Sequence, residues 1–233
     1  VIDFSPFEAM TFDCYGTLVD WERGILDALR PTLSGHGVHA EDEALLERFG
    51  RLESTVQAER FRSYREVLAE VARRLGGELG FRPSRVEVDG FAGSVGAWPP
   101  FPDTVASLRE LGRRYRLAIV SNVDDDLFAE TARALGVTFA EVVTAQQVGA
   151  YKPARTHFDE VLRRLALPRE RVLHVAQSLF HDVAPARELG FTCVWVNRRA
   201  GRPGGGATAP SDAVPDLELP DLRTLAALTV GGT

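Results

Sequence analysis

The stretch MTFDCYGTLVDW, residues 10–21, runs an apolar segment straight into Asp13 and then turns through Cys14, Tyr15, Gly16 and Thr17. An apolar strand that ends on a carboxylate, with a glycine three residues on to allow a tight turn, presents an acid at a strand's carboxyl end. In open α/β sheets that end is where ligands bind. Aspartate also serves as a turn residue or helix cap, so the rest of the chain decides between the two roles. Cys14 falls on the opposite face of the strand from Asp13 and reads as core.

Further along, RLAIVS (116–121), AEVVTA (140–145), RVLHVA (171–176) and FTCVWV (191–196) join EAMTFD (8–13) as apolar runs of strand length. Continuous runs of this kind suit parallel strands covered on both faces. Helical patterns alternate with them at 104–114, 125–136, 156–167 and 182–190, the second and fourth ending on Gly136 and Gly190. This alternation predicts a doubly wound α/β fold with a Rossmann-like parallel sheet. Residues 21–100 read differently. Leu45, Leu46, Phe49 and Leu52, then Val67, Leu68, Val71 and Leu75, recur at helical spacing with no convincing strand between them. The expected organisation is therefore a core of 1–20 and 101–233 with a helical cap at 21–100, which returns through the stiff WPPFP (98–102). GRPGGGATAP (201–210) reads as a flexible loop, followed by an extended segment and a short helix at 221–228.

Composition narrows the function. At 233 residues the chain can bury a sizeable core, and a net charge of −6 gives no reason to expect nucleic acid or an anionic membrane as partner. Two cysteines without metal or redox spacing, and no signal-peptide pattern or membrane-length apolar run, fit a cytoplasmic setting. Of the 27 basic residues, Lys152 is the only lysine. In a chain that otherwise uses arginine, a single compact ammonium marks a position where a planar guanidinium does not fit.

Asp13, Ser121 with Asn122, Lys152 and Asp182 each follow a different expected strand, so a doubly wound sheet gathers them at one crevice. A carboxylate held ionised by a nearby cation can act as a nucleophile.

FDCYGTLVD (12–20), VSN (120–122), YKP (151–153) and HVAQSLFHD (174–182) resemble, in order and in context, the four motifs of the haloacid dehalogenase superfamily. The resemblance covers essentially the whole chain, with the helical insert placed after the first motif as in capped members. It implies Asp13 as nucleophile. Thr17, Ser121 and Lys152 would orient or neutralise the carboxylates, and Asp182 would help activate water. Phosphatases of this superfamily carry a second acid two residues after the nucleophile and a carboxylate at the place of Gln177 to hold Mg²⁺. Here those places are Tyr15 and Gln177, so the proton donor is absent and the metal site loses a hard oxygen ligand. Halide departs as an anion and needs no proton. The Asp-x-Tyr-Gly-Thr form is similar to type II (L-specific) 2-haloacid dehalogenases. That likeness implies a small 2-haloalkanoic acid as substrate, halide as product, an aspartyl-ester intermediate, and neither metal nor organic cofactor.

The same resemblance assigns substrate contacts to Tyr15 and Asn122. The fourth motif of type II enzymes is rich in serine and asparagine, whereas this one reads AQSLFHD, so Gln177, Ser178 and His181 would take over water positioning, and His181 also reads as a polar rim residue. A halide-cradling cap arginine falls at Arg48 by its spacing, with Arg51 as the alternative. Tyr64 and Trp98 stand either as the aromatic wall of the pocket or as core. Phe158 occupies the position where type II enzymes commonly carry tyrosine. Relatives of this type are commonly homodimers, and that state stays open for this chain. Two rival readings remain at this point, a Mg²⁺-dependent phosphatase of a small metabolite and a non-catalytic binding protein on the same fold.

Overall fold

The computed structural model describes residues 2–202 and 204–230. The five apolar runs form strands within one residue of their expected ends: β1 (Ala9–Phe12), β2 (Arg116–Ser121), β3 (Glu141–Thr144), β4 (Val172–Ala176) and β5 (Thr192–Val196). The extended segment near the end adds β6 (Leu217–Leu219). All six pair in parallel in the order β3-β2-β1-β4-β5-β6. The two-residue period of a strand sorts their side chains. Met10, Phe12, Leu117 and Ile119 belong to one apolar layer, whereas Ala9, Ala118, Val120 and Cys193 belong to the other.

Between β1 and β2 the described residues form helices and no strand: α1 (Trp21–Gly35), α2 (Asp42–Glu59), α3 (Tyr64–Glu78), α4 (Arg85–Ala92) and a final tight turn at Ser94–Ala97. Their starts follow from local chemistry. Ser63 and Ser84 each accept a backbone N–H from a glutamate three residues on, and that glutamate reaches back to the serine's own N–H. The two ends of this insert lie side by side. The Asp20 N–H donates to Pro99 O at 2.8 Å, and the Phe101 N–H donates to Leu18 O at 3.0 Å.

The second half supplies α5 (Thr104–Leu111), α6 (Asp125–Leu135), the short α7 (Ala145–Val148), α8 (Thr156–Leu165), α9 (Ala184–Glu188) and α10 (Leu222–Val230). Phe158, Val161 and Leu165 of α8, with Ala186 of α9, cover the layer that contains Ala118 and Val120. Leu108, Leu127 and Leu225, from α5, α6 and α10, cover the other. No helix among the described residues is long and apolar enough to cross a membrane.

The glycine-rich segment departs from its expected flexibility. Residue 203 lies outside the described residues, but 204–208 are fastened across the insert. The Gly206 N–H donates to Glu43 Oε1 (2.9 Å), the Ala207 N–H to Glu22 Oε1 (3.2 Å), and Arg199 bridges the same two glutamates (2.5 and 2.7 Å). Gly50 of α2 makes room for this strap, since a Cβ there would lie 2.3 Å from Ala207 O. Composition suggested a flexible loop, whereas hydrogen bonds to two buried or half-buried carboxylates hold Gly206 and Ala207.

Candidate active site

The chain runs from β1 outward to β2 and β3, then crosses back to β4 and outward the other way. The loops after β1 and β4 therefore part at the switch point and leave a crevice. Asp13 sits there, its N–H donating to Val175 O at 3.1 Å as the last rung beside β4. Gly16, at φ 94°, turns the chain back so that the Thr17 hydroxyl donates to Asp13 Oδ2 at 2.7 Å. The same hydroxyl accepts the Gln177 N–H at 2.8 Å, which ties the loops on both sides of the crevice to one oxygen.

Lys152 enters from the loop after α7 and is fully buried. Its ammonium donates three hydrogen bonds, to Asp13 Oδ1 (2.9 Å), Asp182 Oδ1 (2.6 Å) and Val120 O (2.8 Å). Three protons on a tetrahedral nitrogen meet three acceptors in different directions, a geometry the planar guanidinium cannot copy. That accounts for the single lysine. Asn122 fixes the loop that carries it: Oδ1 accepts the Lys152 N–H at 2.7 Å and Nδ2 donates to the Lys152 carbonyl at 3.2 Å.

Asp182 reaches Lys152 because the chain after β4 opens into a wide helical turn, Leu179–Val183, ahead of α9. The helix expected at 182–190 thus begins one turn early. Ser178 starts the turn, its Oγ accepting the His181 N–H at 2.9 Å and lying 3.1 Å from His181 Nδ1. Burial works to raise the Asp182 carboxyl, but Lys152 and a hydrogen bond from His174 outweigh it and hold the group at about 2. Asp13 goes the other way. Burial raises it, and Asp182 adds to the rise while Lys152 opposes it. The two carboxylates share one cation, and the tighter contact belongs to Asp182.

A small cavity of about 40 Å³ lies over this cluster. Asp13, Tyr15, Tyr64, Ser121, Asn122, Lys152, Gln177, Ser178, His181 and Asp182 line it, together with Trp21, Glu53, Gln57 and Thr208. Ser121 Oγ and Asp182 Oδ2 are buried and make no hydrogen bond within the protein, so both are available to a bound molecule. His181 is pushed down to about 4, first by burial, and is neutral at pH 7.

Two expected positions fall elsewhere. Arg48 is half-exposed on α2 and pairs with Glu78 at 3.5 Å, as does the alternative Arg51 at 2.6 Å, so neither cradles an anion in the cavity. Both precede a buried core residue of α2, Phe49 or Leu52, and one residue around a helix is a turn of about 100° away from the apolar face. Trp98 stands behind the wall, edge-on to Tyr15 with ring centres 5.7 Å apart. Tyr15 itself is anchored by a hydrogen bond between its hydroxyl and Thr131 at 2.9 Å.

Two residues not singled out from sequence belong to the site. His174 of β4 sits 3.2 Å from Asp182 Oδ1 through Nε2 and 2.9 Å from Thr11 Oγ1 through Nδ1. Its signal was a lone polar residue in a buried strand. Phe158 packs edge-on against that ring at 5.2 Å. Glu53 of α2 is buried, and Tyr64 Oη donates to its Oε1 at 2.6 Å. Burial pushes its carboxyl up to about 7, with the Tyr64 hydrogen bond opposing. Its signal was a charge on the apolar face, four residues after Phe49.

Among the described residues no group of three or more histidine, cysteine or acidic side chains is arranged to hold a metal ion. Asp13 and Asp182 both turn an oxygen toward Lys152, and a neutral amide stands at 177.

Comparison with known proteins gives the family. A family model for haloacid dehalogenase-like hydrolases matches residues 7–190. The (S)-2-haloacid dehalogenase H-109 of Pseudomonas putida is 28% identical over 223 residues, 93% of this chain and 95% of its own. A phosphoserine phosphatase of Thermus thermophilus is 30% identical over 169 residues, covering 70% of this chain and 62% of that protein. The L-2-haloacid dehalogenase structure from Xanthobacter autotrophicus superposes with a TM-score of 0.81 at 23% identity, over 97% of this chain and 100% of the other. With a parallel sheet of this order, four motifs converging at its switch point and a family model spanning most of its length, the chain belongs to the haloacid dehalogenase-like hydrolases.

Proposed function

We propose that this enzyme hydrolyses small 2-haloalkanoic acids through an ester on Asp13, without a metal or organic cofactor and in a cytoplasmic setting. The observation that carries the reading is the single ammonium of Lys152 held between Asp13 and Asp182, with Tyr15 where a phosphatase would carry its acid. Thr17 and Lys152 each hold one oxygen of Asp13 and so aim the carboxylate at the cavity. Attack on the halogen-bearing carbon forms the C–O bond as the C–halogen pair leaves with the halide. Ser121 Oγ is free to donate to the substrate carboxylate. Water then adds to the Asp13 carboxyl carbon. Asp182, through its unpartnered Oδ2, takes a proton from that water as it adds and returns it to the departing hydroxy-acid oxygen, while the second water proton is released to solvent and Asp13 is restored as a carboxylate. The small cavity favours short acids such as haloacetate or 2-halopropionate.

A single-turnover reaction with excess enzyme in ¹⁸O-water tests the reading. Label should enter Asp13 in the first turnover and reach the hydroxy acid only in later ones. Label appearing in product at once would remove Asp13 as nucleophile. Phosphate release from small phosphomonoesters that is lost on chelation, with no halide released from a haloacid panel, would replace the reading with a phosphatase.

A further inference from the structure

A departing halide needs a positive or hydrogen-bonding cradle, and beside one cation the cavity offers neutral donors such as Gln57, Asn122 and the free Ser121 hydroxyl. Among the described residues that line it, Lys152 is the only cation. Its three N–H bonds already go to Asp13, Asp182 and Val120. Arg48 and Arg51 are turned to Glu78. On the insert side of the cavity the titratable group is instead an acid, Glu53, buried beside Tyr64.

We propose that Glu53, in its protonated form, is the hydrogen-bond donor that receives the departing halide. The proposal rests on the dehalogenase reading. The Tyr64 hydroxyl donates to Oε1 at 2.6 Å, which leaves the acid's own proton on Oε2. As Asp13 forms its bond to carbon, the C–halogen electron pair leaves on the halide and accepts this hydrogen bond. The proton stays on Glu53, and the halide departs as an anion. Were Glu53 ionised, a further negative charge would line the cavity, and both the substrate carboxylate and the halide would be repelled.

Activity should therefore fall as Glu53 loses its proton, near pH 7. Several of the surrounding groups are held away from that range. On α3, burial moves Tyr64 upward, and it does the same for Tyr15 after β1 and Tyr151 before Lys152. After β4, Asp182 is held at about 2 and His181 at about 4. Lys152 stays protonated, since its two carboxylates outweigh burial. Asp13 lies across the cavity, bound to Lys152, and Asp124 at the start of α6 accepts the Tyr64 and Arg65 N–H groups.

The test compares wild type with Glu53→Gln, which keeps a donor but cannot ionise, and with Glu53→Leu. Halide release is followed from pH 5.5 to 9, and bromide binding is followed through tryptophan fluorescence. Wild-type turnover and bromide affinity should both fall at least tenfold between pH 6 and 8.5. Glu53→Gln should show neither fall. Glu53→Leu should lose about 10- to 100-fold in turnover at pH 6, as expected for a lost hydrogen bond to a charged group. Should Glu53→Leu fail to fold, the Gln variant and the carboxyl infrared band of the wild type, shifted by bromide, decide the matter. A fall near pH 7 that persists in Glu53→Gln, or bromide affinity that ignores pH in the wild type, overturns the proposal while leaving the dehalogenase reading intact. Absence of halide release from every haloacid tested overturns that reading instead, and bromide binding still reports on Glu53.

Discussion

Asn122 and Lys152 grip each other through opposite ends of one amide: the side-chain oxygen accepts the lysine N–H at 2.7 Å, and the side-chain nitrogen donates to the lysine carbonyl at 3.2 Å. The two residues are 30 positions apart, so this pair seats the lysine-bearing loop on the end of β2. Asn122→Ala should leave both backbone groups without that partner and cost about 1–3 kcal/mol for each group that stays buried. Urea denaturation would show the loss. Steady-state halide release should show kcat falling more than KM rises, because the ammonium drifts from both carboxylates.

Removing the ammonium itself should have a larger effect. Lys152→Met leaves two buried carboxylates facing each other, and breaking a buried pair in this way costs about 3–5 kcal/mol. The deficit should shrink on acidification, as one carboxylate takes up a proton. In the wild type the sign for Asp182 is the reverse. Its folded value of about 2 lies below its ordinary 3.8, so its stabilising contribution is complete above about pH 4 and is lost as pH falls toward 2. Denaturation midpoints of the two proteins should therefore converge as the pH is lowered.

Glu53 acts on stability in the opposite direction. Its folded value of about 7 exceeds the ordinary 4.5. The stability it supplies is complete below about pH 4.5 and lost as pH rises through 7. Across that window the loss is about 3 kcal/mol at 1.36 kcal/mol per unit. Glu53→Gln has no such loss, so its stability relative to wild type should improve steadily from pH 4.5 to 8. Parallel stability curves would remove the buried acid from the account.

The strap over the insert gives a steric prediction. A Cβ at position 50 would meet Ala207 O at 2.3 Å, a backbone atom that can retreat only by lifting the segment. Gly50→Ala should cost about 1–3 kcal/mol by overpacking and speed amide hydrogen exchange at residues 204–208. KM should also rise, because Thr208, which donates to Gln177 Oε1, lines the cavity.

What could be read from the chain divides along physical lines. Asp13, Ser121, Lys152 and Asp182 were legible because each lies at a strand's carboxyl end or in the connection that leaves it, and strand ends are marked by where apolar runs stop. Arg48 was not. Spacing within an arginine-rich helix says which residues share a turn, but the direction of that turn is set by which face meets the core. Phe49 is the buried residue, and Glu53, four positions on, shares its side. The 204–208 strap was hidden for another reason. Glycine-rich composition reports the freedom of the isolated chain, whereas Glu22 and Glu43, more than 150 residues earlier, decide what becomes of it.

The central place of β1 carries a consequence for how the protein is made. The segment bearing the nucleophile leaves the ribosome well before either of its neighbours in the sheet, β2 and β4. Until residue 176 has emerged, Phe12 and Asp13 lack one flank of the sheet, and Asp13 also waits for Lys152. Truncated nascent chains would expose an apolar strand edge with an uncompensated charge at its tip. Such intermediates are the kind that chaperones bind, and they make assembly of the catalytic cluster wait until β4 and Asp182 have emerged.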